Sequence, residues 1–170
     1  MTAPAAKLTR KSGAFDSLEQ EAFLNLWRTY DRLRALEDDL FACFDLTPQQ
    51  YNALRLLRAA CPEAMPTLDL AGRLVSRAPD ITRMLDKLDQ RGLIRRERPA
   101  DNRRVVRVGI TEAGLRLLRE LREPLVECHV RQLGHLSRKQ LEKLIALLAA
   151  ARGPHEPAAS SWTKQPKSAG

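Results

Sequence analysis

Between Leu70 and Gly114 the hydrophobic rhythm of the chain changes from helical to extended within one short stretch, LAGRLVSRAPDITRMLDKLDQRGLIRRERPADNRRVVRVGITEAG. Ile81, Met84, Leu85 and Leu88 recur at three- and four-residue intervals, the spacing of a helix with one apolar stripe. Gly92, directly after Arg91, is a strong stop, because glycine takes the left-handed conformation past a helix end without a Cβ clash. Beyond it Val106, Val108 and Ile110 alternate with Val105, Arg107 and Gly109, the period of a strand. Leu93–Arg98 is the partner strand of Arg104–Ile110, and Pro99–Arg103 between them has turn chemistry. A helix that must stop at Gly92 and feed directly into a two-stranded ribbon leaves few architectures open.

Thr67 is the expected cap of a preceding two-turn helix through Leu74, with Leu68, Ala71 and Leu74 facing inward. Ser76 is expected to open the next helix, with Pro79 harmless in its first turn. At about 100° per residue its outward face carries Pro79, Arg83, Asp86, Lys87 and Gln90. The charge is concentrated here: of a formal net +8, eleven Lys/Arg against five Asp/Glu between Ala71 and Ile110 leave +6. Such a surface suits a polyanion, although a charge run is also what any solvated face looks like. Short helix, second helix, glycine stop and basic ribbon together outline a winged helix-turn-helix, a module that lays one helix in a DNA groove with a β-ribbon beside it.

The flanks are helical. Residues 1–13 are small, polar and basic, and are expected to be a disordered arm. A helix of almost thirty residues follows from Asp16 or Ser17, where Ser17 and Gln20 have capping-box form. That length exceeds what a small domain needs, so part of it is expected to contact another subunit. Thr47, Pro48 and Gln50 mark the next helix start, and Cys61-Pro62 its stop. Thr111 caps a helix carrying Leu115, Leu118, Leu121 and Leu125, with a kink expected at Pro124. Ser137 and Gln140 open the last helix, with Leu141, Leu144, Ile145 and Leu148 on its apolar face. The expected fold is mainly α with a small α+β wing. Residues 14–45 and 115–152 form a helical dimerisation region, 46–114 the winged helix-turn-helix, and 153–170 a disordered tail.

No run approaches the roughly 18 apolar residues of a membrane span, and MTAPAAKLTRKSG has no apolar signal core, which points to a cytoplasmic protein. Cys43, Cys61 and Cys128 are too scattered for a disulfide framework; Cys43, at the end of the first long helix, is expected to be a packed thiol. His129, His135 and His155 lack a metal-ligand spacing, and no nucleophile has an evident base. Neither cofactor, metal nor enzymatic activity is expected.

Five segments in order resemble the MarR family of bacterial winged-helix transcriptional regulators: Leu46–Tyr51, Ile81–Leu88, Arg91–Leu93, Asn102–Arg104 and Ile110–Gly114. The likeness runs from about Phe15 to Ala151. The family's wing reads Asp-Arg-Arg; here Asn102 stands in the acid's place with Asp101 one residue earlier, which leaves open the side chain that orients the wing arginine. The resemblance implies a homodimer, its end helices intertwined and its two modules meeting successive major grooves of a pseudo-palindromic site on double-stranded DNA. It also implies a small aromatic or phenolic effector in a cleft near the dimer helices, where Trp27, Tyr30 and Tyr51 are the candidate lining residues, each equally at home in a core or interface.

On such a module Arg83 is the best placed for bidentate contact with guanine, with Thr82 and Arg77 near the helix start and Lys87 on the same outward face. Arg103 would enter a narrow minor groove, and Arg104 would touch phosphate or brace the turn. The competing role for Arg83 is an intrahelical pair with Asp86 or Asp80, and for Thr82 packing at the edge of the apolar stripe. The expected function is a sequence-specific transcriptional regulator, a repressor, released by an effector. The alternative is a winged-helix adaptor whose basic face binds an acidic partner.

Overall fold

The computed structural model describes residues 15–75, 80–99 and 104–156. Helix α1 (Leu18–Ala42, 25 residues) begins where the Ser17 hydroxyl accepts from the Gln20 N–H at 3.1 Å. The reciprocal half of the expected box is displaced by one residue, since Gln20 Oε1 accepts from the N–H of Asp16. Helix α2 (Pro48–Ala60) has the complete box between Thr47 and Gln50, with Pro48 at the first position, where an N–H would have no intrahelical partner.

Strand β1 (Met65–Pro66) runs directly into α3 (Thr67–Arg73), and two expectations fail at the junction. Thr67 does not cap α3; its hydroxyl and its N–H both donate to the Val106 carbonyl, at 3.1 and 3.0 Å, fastening the helix start to the ribbon. That contact sets the helix rotation. Leu70, three residues on and on the same side as Thr67, is fully buried, whereas Leu68, about 100° away, is 84% exposed. Ala71 and Leu74 are half-buried.

Helix α4 (Ile81–Gln90) buries Met84, Leu85 and Leu88, as its periodicity requires. Its cap is Asp80, whose carboxylate accepts from the Arg83 N–H at 2.9 Å. An acid there supplies both the cap acceptor and a negative charge at the positive end of the helix. Ser76 and Pro79 lie outside the described residues. Gly92, at φ +65°, turns the chain into β2 (Ile94–Glu97), which pairs antiparallel with β3 (Arg107–Ile110), Ile94 opposite Ile110 and Glu97 opposite Arg107. With β1 on the other side of β3, Met65 opposite Val108, the sheet order is β1-β3-β2.

Past the sheet, the expected kinked helix is two helices, α5 (Glu112–Glu120) and α6 (Arg122–Leu133), which meet at Leu121. Pro124 has no N–H for the Glu120 carbonyl, while Leu121 keeps right-handed helical angles and its bonds to Leu117 and Leu125, so the junction is the kink expected at a proline. Gln132 Nε2 donates to the Leu33 carbonyl at 2.8 Å and ties α6 to α1. One continuous core runs from Phe41 through Leu54, Leu57, Leu70, Leu85, Leu88 and Val108 to Leu121 and Leu125. Cys43 is exposed at the C-cap of α1 rather than packed, because the end of the helix leaves it outside that core; the buried cysteine is Cys128, whose thiol burial pushes up. Helix α7 (Arg138–Arg152) has the Ser137–Gln140 box but buries no residue, and a 3-10 turn (Gly153–His155) follows it. No helix among the described residues is long and apolar enough to cross a membrane.

Two glycines inside helices are expected to respond oppositely to a methyl group. A Cβ at Gly114 would collide with the Leu93 carbonyl and with Ile110, whereas at Gly72 it meets nothing within 4 Å. Thermal denaturation of Gly114→Ala is expected to show a loss of about 1–3 kcal/mol. Gly72→Ala, relieving the backbone-entropy cost of a helical glycine, is expected to gain about 0.5–1 kcal/mol.

Candidate nucleic-acid interface

The outward face of α4 carries Thr82, Arg83 and Lys87, all exposed. Arg83 and Lys87, one helical turn apart, line a small cleft of about 270 Å³ with Thr47 and Gln50 from the start of α2, Asp80 and Met84. The acids that could have neutralised Arg83 are occupied elsewhere. Asp80 caps the helix through the Arg83 backbone, and Asp86 lies 2.7 Å from Arg96 Nη2. The guanidinium of Arg83 has no ion-pair partner among the described residues. Of the other residues expected to touch DNA, Arg104 is exposed at the wing and has a partner within the chain. Arg77, Arg103 and the Asp101–Asn102 pair lie outside the described residues.

The arginines of the ribbon divide. Arg95 turns back, Nη1 donating to the Ile110 carbonyl at 3.1 Å and Nη2 to the Pro62 carbonyl at 3.3 Å, its guanidinium lying over Gly109. Arg96 lies between Asp86 and Asp89 of α4, at 2.7 and 3.7 Å, a charge contact without hydrogen-bond alignment. Both therefore brace the wing. Arg98 and Arg107 remain exposed. Bracing is invisible in a residue count, which does not separate Arg95 and Arg96 from the outward Arg83 and Lys87 of α4.

Arg91 makes a long-range contact that its own sequence neighbourhood does not announce. From the end of α4 it donates to the carbonyls of Phe44 and Asp45 in the turn after α1, at 3.1 Å for Phe44. Those partners are backbone atoms, which any residue could supply.

The three aromatic candidates are not brought together. Trp27 is 61% exposed on α1 beside Phe23 and lines an open cleft of about 600 Å³ with Phe15, Leu24, Asn25, Arg28 and Asp31. Tyr30 is exposed under the guanidinium of Arg34 and does not line that cleft. Tyr51 instead packs on Phe41, ring centroids 4.9 Å apart, and burial pushes its phenol above the usual tyrosine range. Among the described residues no group of three or more His, Cys, Asp and Glu could hold a metal ion; His129 sits 3.4 Å from Glu37.

A winged module, a cation-bearing helix and long end helices agree with what the chain resembles. Residues 46–106 match the MarR family. The chain is 57% identical to a MarR transcription factor from Planctomyces limnophilus, over 80% of this chain and 98% of that one, with a TM-score of 0.65. The same fold recurs at 21% identity in a mutant MarR from Escherichia coli complexed with operator DNA, over 79% and 98% of the two chains (TM-score 0.69). It recurs again in BpsR of Bordetella bronchiseptica, whose DNA binding is regulated by 6-hydroxynicotinic acid, at 21% identity over 79% and 95% (TM-score 0.70). With more than half of its aligned residues shared with the Planctomyces protein along nearly that protein's whole length, this chain belongs to the MarR family of transcription regulators.

Proposed function

We propose that the protein is a sequence-specific repressor that binds a pseudo-palindromic operator as a cytoplasmic homodimer and is released by a small aromatic or phenolic effector. The observation that carries the DNA-binding half is the exposed guanidinium of Arg83, without an ion-pair partner among the described residues, on a helix whose other cation, Lys87, is exposed beside it. A guanidinium presents a planar fork that matches guanine O6 and N7, so Arg83 reads a base; Lys87, a point charge, rests on phosphate. Thr82 and Arg77 contact phosphate or base edges near the helix start, Arg103 enters a narrow minor groove, and Arg104 touches phosphate or braces the turn. The relative from E. coli that was crystallised on operator DNA supports this half.

The homodimer is supported by what a single copy leaves uncovered. Phe23, Trp27 and Tyr30 on α1 and Ile145 and Leu147 on α7 are more than half exposed, and α7 buries nothing. A fifteen-residue helix is marginal on its own in water, so this one needs a surface to lie on. The effector half rests on the cleft at Trp27 and on the ligand that regulates BpsR; Tyr51, half-buried against the core, would act there only through packing.

Binding is expected to fall steeply with salt, log K declining by about 0.9 per phosphate contact for each unit of log salt. Lys87→Ala should reduce that slope by about 1 and weaken cognate and random DNA alike. Arg83→Ala should cost about 1–3 kcal/mol on cognate DNA and little on random DNA, in mobility-shift titrations at several salt concentrations. Equal losses on both DNAs would remove the base-reading role from Arg83, and selective binding by neither variant nor wild type would favour an adaptor.

For the dimer, Ile145→Asp is expected to raise the dissociation constant roughly tenfold or more, as loss of a buried apolar contact does. Sedimentation velocity across a dilution series measures it, and a mass distribution unchanged from wild type would place the subunit contact elsewhere.

A further inference from the structure

We infer that Arg91 is a positioning residue that sets the angle of the reading helix against the end of α1, and through it the half-site spacing that an operator must have. The inference rests on the DNA-binding function proposed above. Arg91 is the C-cap of α4, yet its side chain reaches the turn between α1 and α2. There Nη2 donates to the Phe44 carbonyl at 3.1 Å, Nη1 donates to the Asp45 carbonyl, and Nε lies 3.8 Å from the Asp45 carboxylate. Asp45 holds a left-handed φ of 51°, so the two carbonyls are presented by a turn with little freedom of its own.

Three physical points make this contact a joint. Helices α1 and α4 both end at it, and each end carries a partial negative charge that one cation offsets at once. The guanidinium is planar with its donors in a fixed fork, so two carbonyls held by two Nη atoms fix a direction as well as a distance. The Asp45 side chain, 92% exposed, contributes little, because an ion pair in water is weak. The restraint therefore lies in the carbonyl contacts.

The consequence for DNA follows from helical geometry. Helix α1 bears the exposed Phe23, Trp27 and Tyr30 assigned above to the second copy, while α4 bears Arg83. One base pair added between half-sites turns the second half-site by about 35° around the DNA axis. Two reading helices held rigidly to a shared α1 framework fit one spacing; helices with a loosened joint fit several.

The test selects bound DNA from a pool of paired half-sites whose spacer varies one base pair at a time, using the full chain. Wild type is expected to prefer one spacing over its neighbours by roughly tenfold, of the order that a mismatched base costs. Arg91→Ala should reduce that preference to about threefold or less while keeping base preference within each half-site, and Arg91→Lys should fall between. Asp45→Asn should match wild type. A spacing preference undiminished in Arg91→Ala overturns the assignment, as does Asp45→Asn relaxing it as far as Arg91→Ala. Should Arg91→Ala fail to fold, Arg91→Lys decides, with its melting temperature measured alongside: wild-type spacing preference in a folded Arg91→Lys overturns the assignment. Wild-type protein without any sequence preference would overturn the DNA-binding function itself, a different result from any of these.

Discussion

The winged module depends on one crowded junction, where the chain leaves α4 and where, some twenty residues later, it leaves the sheet. The Thr111 hydroxyl donates to the Gly92 carbonyl at 2.7 Å and accepts from the Gly114 N–H at 3.2 Å, while the Thr111 N–H donates to the Leu93 carbonyl at 3.1 Å. Leu93 in turn donates to the Leu88 carbonyl at 3.0 Å. One threonine thus caps α5, ties down the left-handed turn and holds the residue that leads into the ribbon. Gly92 is needed for its positive φ, and Gly114 because only a residue without Cβ lets α5 approach the Leu93 carbonyl. With the junction fixed, Leu88, Ile94, Val108 and Ile110 meet in the core and α4 can turn its charged face outward.

Much of this is legible in the sequence because it is local. The Thr47–Gln50 and Ser137–Gln140 boxes, the stop at Gly92, the Thr111 cap and the buried stripe Met84, Leu85, Leu88 each follow from residues within a turn of one another. What stays hidden depends on distant partners. Thr67 looks like a cap, but its hydroxyl finds a carbonyl 39 residues away, and that contact turns Leu68 to solvent.

The candidate interface is legible to a lesser degree. Periodicity alone places Arg83 and Lys87 on the outward face, and they are there. The sequence does not separate arginines that face outward from those that brace, since Arg95 and Arg96 look like Arg98 until the positions of Pro62, Asp86 and Asp89 are known. The aromatic candidates show the same limit: Trp27 lines an open cleft while Tyr51 stacks in the core, although both lie on amphipathic helices.

The break at Leu121 bears on how the winged module can move. The chain passes into the module through the turn at Phe44–Leu46 and leaves it through the α5–α6 junction. A body held at two points retains a single free rotation, about the line that joins them. For a swing about those two crossings, one end of the axis is the very turn that Arg91 grips. Rotation about it would strain those contacts at the pivot itself, so one long side chain at the end of one helix would resist the whole joint.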